Sequence, residues 1–221
     1  MKEEDLVALY PEVYHMAESE SWPSIREHGL LSTSALLDLF AVAGKERYAI
    51  ESQRRPESVI VEHEAHGSAI IRDQRPLSEG TLRRLLDDMS PKEYYELLNR
   101  MTFFWARKER LQKLLNARAY KNRPHIVLTI DTRSLLQKHR DRIWLSPINS
   151  GATFRGGGRR GRGTFKRIAD YPFEEMKRKK RDDAVVEVSV DYAVKDVVDV
   201  VTKVEMWENG EPTGIIWEKP Q

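Results

Sequence analysis

The chain has 221 residues, 40% of them hydrophobic and 33% charged, with a net charge of only +2. That length and apolar content support a folded core. With no cysteine, disulfides, thiol catalysis and cysteine-ligated zinc are excluded. No apolar run approaches the ~20 residues of a membrane span, and the acidic start "MKEEDLVALYPE" does not read as a secretory signal, so a cytoplasmic protein is expected.

The first predicted strand is "EVYHM", extended and reaching His15 just before a helix. That helix covers 22–28, with Ser21 suited to its N-cap, Trp22 and Pro23 to its first turn, and Gly29 to a left-handed stop. Such a histidine can hydrogen-bond a ligand through either ring nitrogen, although taken alone it reads as a half-buried side chain bonded to backbone. "TSALLDLFAVAG" predicts a second helix, capped by Ser32 or Thr33 and stopped by Gly44. "SVIVEHEAHGSAIIR" predicts a β-hairpin turning at His66-Gly67. His63 and His66 lack the i, i+4 spacing of a helical zinc site, and no third ligand is apparent, so no metal is expected.

Two helices follow, "SEGTLRRLLDDM" and "SPKEYYELLNRM", the second opening on Ser90-Pro91. In "MTFFWARKERLQKLLNARAY", Phe103, Phe104 and Trp105 run into Arg107 and Arg110, and Leu111, Leu114 and Leu115 recur at helical spacing. Guanidinium groups beside rings suit a phosphate next to a flat base. The plainer reading is an apolar strand entering an amphipathic helix with solvated arginines. "HIVLTI" and "RIWLS" predict strands on either side of a helix over "TRSLLQKH".

The next stretch, "NSGATFRGGGRRGRGTFKRIADY", sets Arg155, Arg159, Arg160 and Arg162 among glycines, with Phe154 and Phe165 at the edges. Arginines neutralise phosphates and rings stack on unpaired bases, so this loop, 151–167, suits nucleic acid; it suits a disordered surface loop equally well. It contains no Walker pattern. Residues 151–181 hold eleven Lys or Arg against three acids, whereas residues 182–221 hold three Lys against ten acids. Charge so divided points to a local anionic partner. "KRKKR" at 177–181 reads as a solvated helix end.

"AVVEVSVDY" is the strongest strand in the chain. Alternation places Val186, Val188 and Val190 on one face and Val185, Glu187 and Ser189 on the other. A carboxylate there is costly if buried and unpaired, so Glu187 belongs either on a solvated face or in a polar cleft. A closing hairpin is expected around Asn209-Gly210. With helices in front and strands behind, and neither repeat nor long linker, the fold class is α+β in a single domain, 1–221.

In order, "YHMAESESWPSIREHGLLS", "TFFWARKERL" and "AVVEVSVDYAVKDV" resemble the histidine, arginine and glutamate motifs of ADP-ribosyltransferase-like domains. The nearest likeness is to DarT-type DNA ADP-ribosyltransferases or an uncharacterised bacterial relative of them. The resemblance implies two small antiparallel sheets forming an NAD cleft, with helices packed around. His15 would hold the adenosine ribose, Ser32 and Thr33 would add polar contacts, and Tyr48 or Tyr120 would stack on nicotinamide. Arg107 or Arg110 would bind the diphosphate, and Glu187 would stabilise the cation formed as nicotinamide leaves. NAD would be a substrate, DNA or RNA the acceptor, and an antitoxin or ADP-ribose hydrolase a partner of such a toxin or phage-defence effector. The competing readings are a nucleic-acid-binding module indifferent to NAD, and an enzyme of the same fold doing NAD glycohydrolysis or RNA 2′-phosphate transfer.

Overall fold

The computed structural model describes residues 1–153, 158–176 and 181–220. In chain order its elements are α1 (Glu3–Leu9), β1 (Glu12–Glu18), α2 (Trp22–His28), β2 (Leu30–Leu31), α3 (Thr33–Leu39), α4 (Gly44–Glu51), β3 (Val59–His63) and β4 (Gly67–Ile71). Then come α5 (Glu79–Leu85), α6 (Pro91–Asn99), β5 (Met101–Trp105), α7 (Lys108–Leu115), β6 (His125–Asp131), α8 (Thr132–His139) and β7 (Ile143–Ser146). The chain closes with β8 (Glu187–Asp191), β9 (Ala193–Val194), α9 (Val197–Val200), β10 (Val201–Glu208) and β11 (Glu211–Glu218).

Among the described residues the strands form one seven-stranded antiparallel sheet, ordered β11-β10-β6-β1-β5-β8-β7, and two two-stranded ribbons, β2-β9 and β3-β4. The expectation of two small sheets is therefore corrected. The physical reason lies at the middle of the order. β1 is zipped to β6 over seven residue pairs, from Glu12↔Asp131 to Glu18↔His125, but meets β5 through the single pair Tyr14↔Trp105. The two halves of the sheet join at that point and diverge beyond it. There the Phe103 carbonyl accepts from His15 Nδ1, at 2.7 Å, where a ladder would have supplied a backbone N–H.

Both faces of the sheet are covered at its centre, whereas the edge strand β11 is exposed along most of its length. Along β6, Ile126, Leu128 and Ile130 enter the largest core with Leu6 of α1 and Leu135 of α8, while Val127 turns to Leu111 and Leu115 of α7. A strand buried on both faces reads as the continuous apolar run seen in "HIVLTI". On the second face α6 brings Tyr94, Tyr95 and Leu98 against Leu77 and Phe165. Its start is set by a capping box, in which Ser90 Oγ accepts from the Glu93 N–H and the Glu93 carboxylate accepts from the Ser90 N–H.

Helix ends depart from the sequence reading: the helix over "SEGTLRRLLDDM" stops at Leu85, and the one expected to run to Gly44 is broken. α3 ends at Leu39, Ala41 takes φ 52, and Gly44 begins α4 instead of ending α3. The reason is tertiary: Leu37, Phe40 and Ile50 turn together onto Val61 and Ile71 of the β3-β4 ribbon, which a single straight helix cannot do. Both expected hairpins form; the first turns at 64–66, with Gly67 paired to His63 as the first residue of β4 and not at His66-Gly67, and the second turns at Asn209-Gly210, with Asn209 at φ 52 and Gly210 at φ 80, as a type I′ turn requires. Among the described residues, no helix is long and apolar enough to cross a membrane.

Candidate active site

Where β1 and β5 part, a cavity of about 640 Å³ opens, within the roughly 300–1,000 Å³ of ligand pockets. Its wall takes residues from β1, α2, the start of α3, the β4 strand, β5 and the loop at 149–151, and it includes both His15 and Glu187.

His15 is positioned by its strand and by its own hydrogen bond. A carbonyl only accepts, so the bond to Phe103 places the proton on Nδ1 and leaves Nε2 as an acceptor. The ring also meets Phe104 edge-on, at 5.9 Å between centroids. Burial pulls its pKa down to about 4, with the nearby Arg72 charge acting in the same sense and the Phe103 bond against it. At neutral pH the imidazole is thus uncharged and held in one tautomer.

Glu187 opens β8, opposite Trp105 of β5 and Ser146 of β7. The solvated-face reading does not survive, since the residue is only 6% exposed. Val188 and Val190 enter the main core, and alternation turns Glu187 to the opposite face. Its Oε2 accepts from the Ser150 N–H at 3.1 Å. Burial raises its pKa to about 7, against the Ser150 bonds and the charges of Arg160 and Arg110. The strand thus holds a carboxyl group poised between its two charge states near neutrality.

The segment carrying Ser150 is stapled from behind. Arg160, 2% exposed, donates to the carbonyls of Gly158 at 3.0 Å and Asn149 at 3.1 Å, and also to that of Ala152. Tyr94 Oη donates to the Ser150 carbonyl at 3.0 Å. Arg160 is consequently not an exposed phosphate contact; backbone carbonyls have claimed its guanidinium. Arg159 and Arg162 remain largely exposed, paired with Asp87 and Glu93. Arg155 and Phe154, like 177–180 of the basic run, lie outside the described residues.

The other expected residues divide. Ser32 caps α3, its Oγ accepting from the Ala35 N–H at 3.2 Å, and with Thr33 and Tyr120 it lines the cavity. Tyr48 lies exposed on α4 with Lys92 above its ring and is not in the cavity wall. Arg107 and Arg110 are not in it either. Arg107 pairs with Asp182 at 2.6 Å and Glu109 at 3.1 Å, and Arg110 with Asp183 at 2.8 Å. The structure gathers His15, Ser32, Thr33, Tyr120 and Glu187 around one space and leaves Tyr48, Arg107 and Arg110 off it.

The profile of one protein family, described as "Family of unknown function (DUF7002)", matches residues 11–201. The chain belongs to that family. The matched span of this DUF7002 chain runs from just before β1 to the first residue of β10 and contains His15 and Glu187. No curated protein matches the sequence. Among solved structures, the chain is similar to "Thermosipho africanus DarTG in complex with ADP-ribose", with 13% identity and a TM-score of 0.43 over 88% of this chain. It spans 43% of that chain. A likeness so distant assigns neither activity nor residues.

Several residues of the DUF7002 cavity escaped the sequence reading. Arg55, 6% exposed, spends its guanidinium on the carbonyls of Ile50 and Arg72 and on Asn99 Oδ1. Burial draws its pKa down to about 10, leaving it charged at neutral pH. Arg72, just after β4, extends into the cavity wall beside Tyr120. Neither sits in a local motif. A signal was present in the clustered arginines of "RR" at 54–55 and "RDQR" at 72–75, but only folding shows which of them face inward. His28, His63 and His66 do cluster, with ring centroids 4.7 and 4.9 Å apart, yet no metal-holding group of His, Asp and Glu is found among the described residues.

Proposed function

We propose that the chain is an NAD-dependent ADP-ribosyltransferase and that the β1–β5 cavity is its active site. The observation that carries this reading is that Glu187, a buried carboxyl on a rigid strand, and His15, a neutral imidazole locked in one tautomer, line the same cavity. A neutral imidazole with Nε2 open suits a ribose hydroxyl donor. A strand-borne carboxylate suits the ribosyl carbon, where positive charge develops as the C1′–N bond to nicotinamide breaks and the base leaves with the bonding pair. Fixed charge aimed at developing charge in a dry site is commonly the largest catalytic contribution, and a strand holds it more closely than a loop. The acceptor's oxygen or nitrogen then bonds to C1′ and gives up its proton, for which Glu187, poised near neutrality, is a suitable base. Tyr120 reaches the wall with its ring packed among Met16, Leu111 and Leu115 and the Arg72 guanidinium over it, so it serves as a brace and not as an open face for a flat base.

The acceptor in this reading is nucleic acid. Support comes from the exposed Arg159 and Arg162 beside the stapled loop and from the uneven charge of the chain; Arg160 adds none. An activity of this kind would call for a partner that restrains or reverses it. Arg107 and Arg110, held by Asp182, Asp183 and Glu109, are poorly placed for a direct diphosphate contact.

The test is incubation with labelled NAD and DNA or RNA oligonucleotides, for the wild type and Glu187→Gln. Label transfer that falls by about 10²-fold or more in the variant, with NAD binding retained, is the expected result. Nicotinamide release with no transfer reassigns the cavity to glycohydrolysis. Salt-sensitive oligonucleotide binding with no NAD turnover would overturn the enzyme reading in favour of a binding module.

A further inference from the structure

The cavity has a carboxyl on β8 and an imidazole on β1, and among the described residues two arginines line it, Arg55 and Arg72. They are not equivalent. Arg55 is buried, and its donors are taken by Ile50, Arg72 and Asn99. Arg72 is half-buried, with one hydrogen bond among the described residues, to the Met16 carbonyl at 3.5 Å, the outer limit for such a bond. No carboxylate pairs with it among the described residues, whereas Arg47, Arg75, Arg83, Arg100, Arg107 and Arg140 each have one.

The position of Arg72 is nevertheless determined. Its own carbonyl accepts from Arg55 Nε at 2.8 Å, which fixes the backbone where the chain leaves β4. Its guanidinium lies 5.3 Å from the centroid of the Tyr120 ring, and the ring is itself buried in the core under β1 and α7. Stacking on a fixed ring restrains a long side chain without spending its N–H donors. The result is a guanidinium held in place, facing a cavity, with its planar fork of donors largely unspent. That is an arrangement for bidentate recognition of phosphate oxygens.

We propose that Arg72, braced on Tyr120, holds the diphosphate of a dinucleotide or nucleoside-diphosphate-sugar ligand in this cavity. Naming that ligand as NAD rests on the function proposed above; the diphosphate assignment itself rests on Arg72. It gives this residue the anion-binding role that the resemblance implied for Arg107 or Arg110.

The probes are ADP-ribose, inorganic pyrophosphate and adenosine, titrated calorimetrically into the wild type, Arg72→Gln and Arg72→Lys. Circular dichroism and thermal melts establish that each variant is folded. The wild type is expected to bind ADP-ribose and pyrophosphate, with an affinity that falls as salt rises. Arg72→Gln is expected to lose about 10-fold or more for both and to leave adenosine binding unchanged. Arg72→Lys should recover only part of the loss, since an ammonium keeps the charge but not the fork. Unchanged ADP-ribose affinity in a folded Arg72→Gln overturns the proposal, as does a wild type that binds neither anionic probe. The two readings separate cleanly. Pyrophosphate binding lost in Arg72→Gln, in a protein that never turns over NAD, upholds the diphosphate site and sinks the transferase. NAD turnover with Arg72→Gln indistinguishable from wild type does the reverse.

Discussion

At the scale of single residues, burial acts on two groups of the cavity in opposite senses. It lowers His15 to about 4 and raises Glu187 to about 7, because in each case it disfavours the charged form. With Glu187 required as the anion, kcat/KM for NAD is expected to rise tenfold per pH unit below about 7 and to level off above it. His15 should add no inflection between pH 5 and 9. A pH–rate profile flat from 5 to 8 would remove Glu187 from the reaction. Gly29 makes a different kind of residue-level demand. It ends α2 at φ 86, and a Cβ there would sit 2.4 Å from the Lys195 Cα. Left-handed strain and backbone overlap add, so Gly29→Ala is expected to cost about 3 kcal/mol by urea denaturation. Glycine at this stop was legible from "EHGLL"; the reason it must be so small, the β9 segment lying against it, was not.

At the scale of elements, helix starts and strand alternation were the legible part. Ser90-Pro91 announced α6, the structure adds the Glu93 half of its capping box, and Ser90→Ala is expected to cost about 1 kcal/mol, read as a lowered denaturation midpoint with an unchanged m-value. The loop over 151–167 was read for its arginines, its glycines and the rings at its edges. Its arginines looked equivalent in sequence, yet Arg160 turns inward and ties Asn149, Ala152 and Gly158 together, while Arg159 and Arg162 stay outside. Arg160→Ala is expected to strip those carbonyls of their donor, loosen the Ser150 N–H that meets Glu187, and reduce turnover at the same time as stability. Arg160→Lys should rescue little, because one ammonium cannot span the three carbonyls. Stability and turnover close to wild type in Arg160→Lys would show that charge alone is what the loop needs.

At the scale of the whole molecule, the two shifted groups set opposing pH dependences of stability. Below its ordinary 6.5 and down to about 4, His15 binds its proton more weakly folded than unfolded, so its contribution to stability rises with pH. Between 4.5 and about 7, Glu187 binds its proton more tightly folded than unfolded, so its contribution falls with pH. The windows overlap, and between about pH 4.5 and 6.5 the slopes offset. Glu187→Gln removes one of them. The variant's stability is then expected to gain a positive slope, relative to wild type, of up to about 1.4 kcal/mol per pH unit in that window. Urea melts at half-unit pH steps measure it, and parallel curves for the two proteins would contradict the burial of Glu187.

Period, caps and turn residues are local properties, and they determined most of the helices and strands, the closing hairpin and the α+β class. Taken alone, His15 read as a backbone-bonded side chain and Glu187 as open between a solvated face and a polar cleft; the ordered resemblance is what singled them out. Only the tertiary structure decided that β1 and β5 meet at a single pair and then diverge, because strand pairing at that join depends on Tyr14 and Trp105, far apart in the chain. The same long-range packing decided which arginines face the cavity. A guanidinium's role depends on whether a carboxylate, a carbonyl or an open cavity lies opposite: for Arg107 and Arg72 that neighbour comes from a distant part of the chain, and for Arg160 it is the folded-back carbonyls of its own loop.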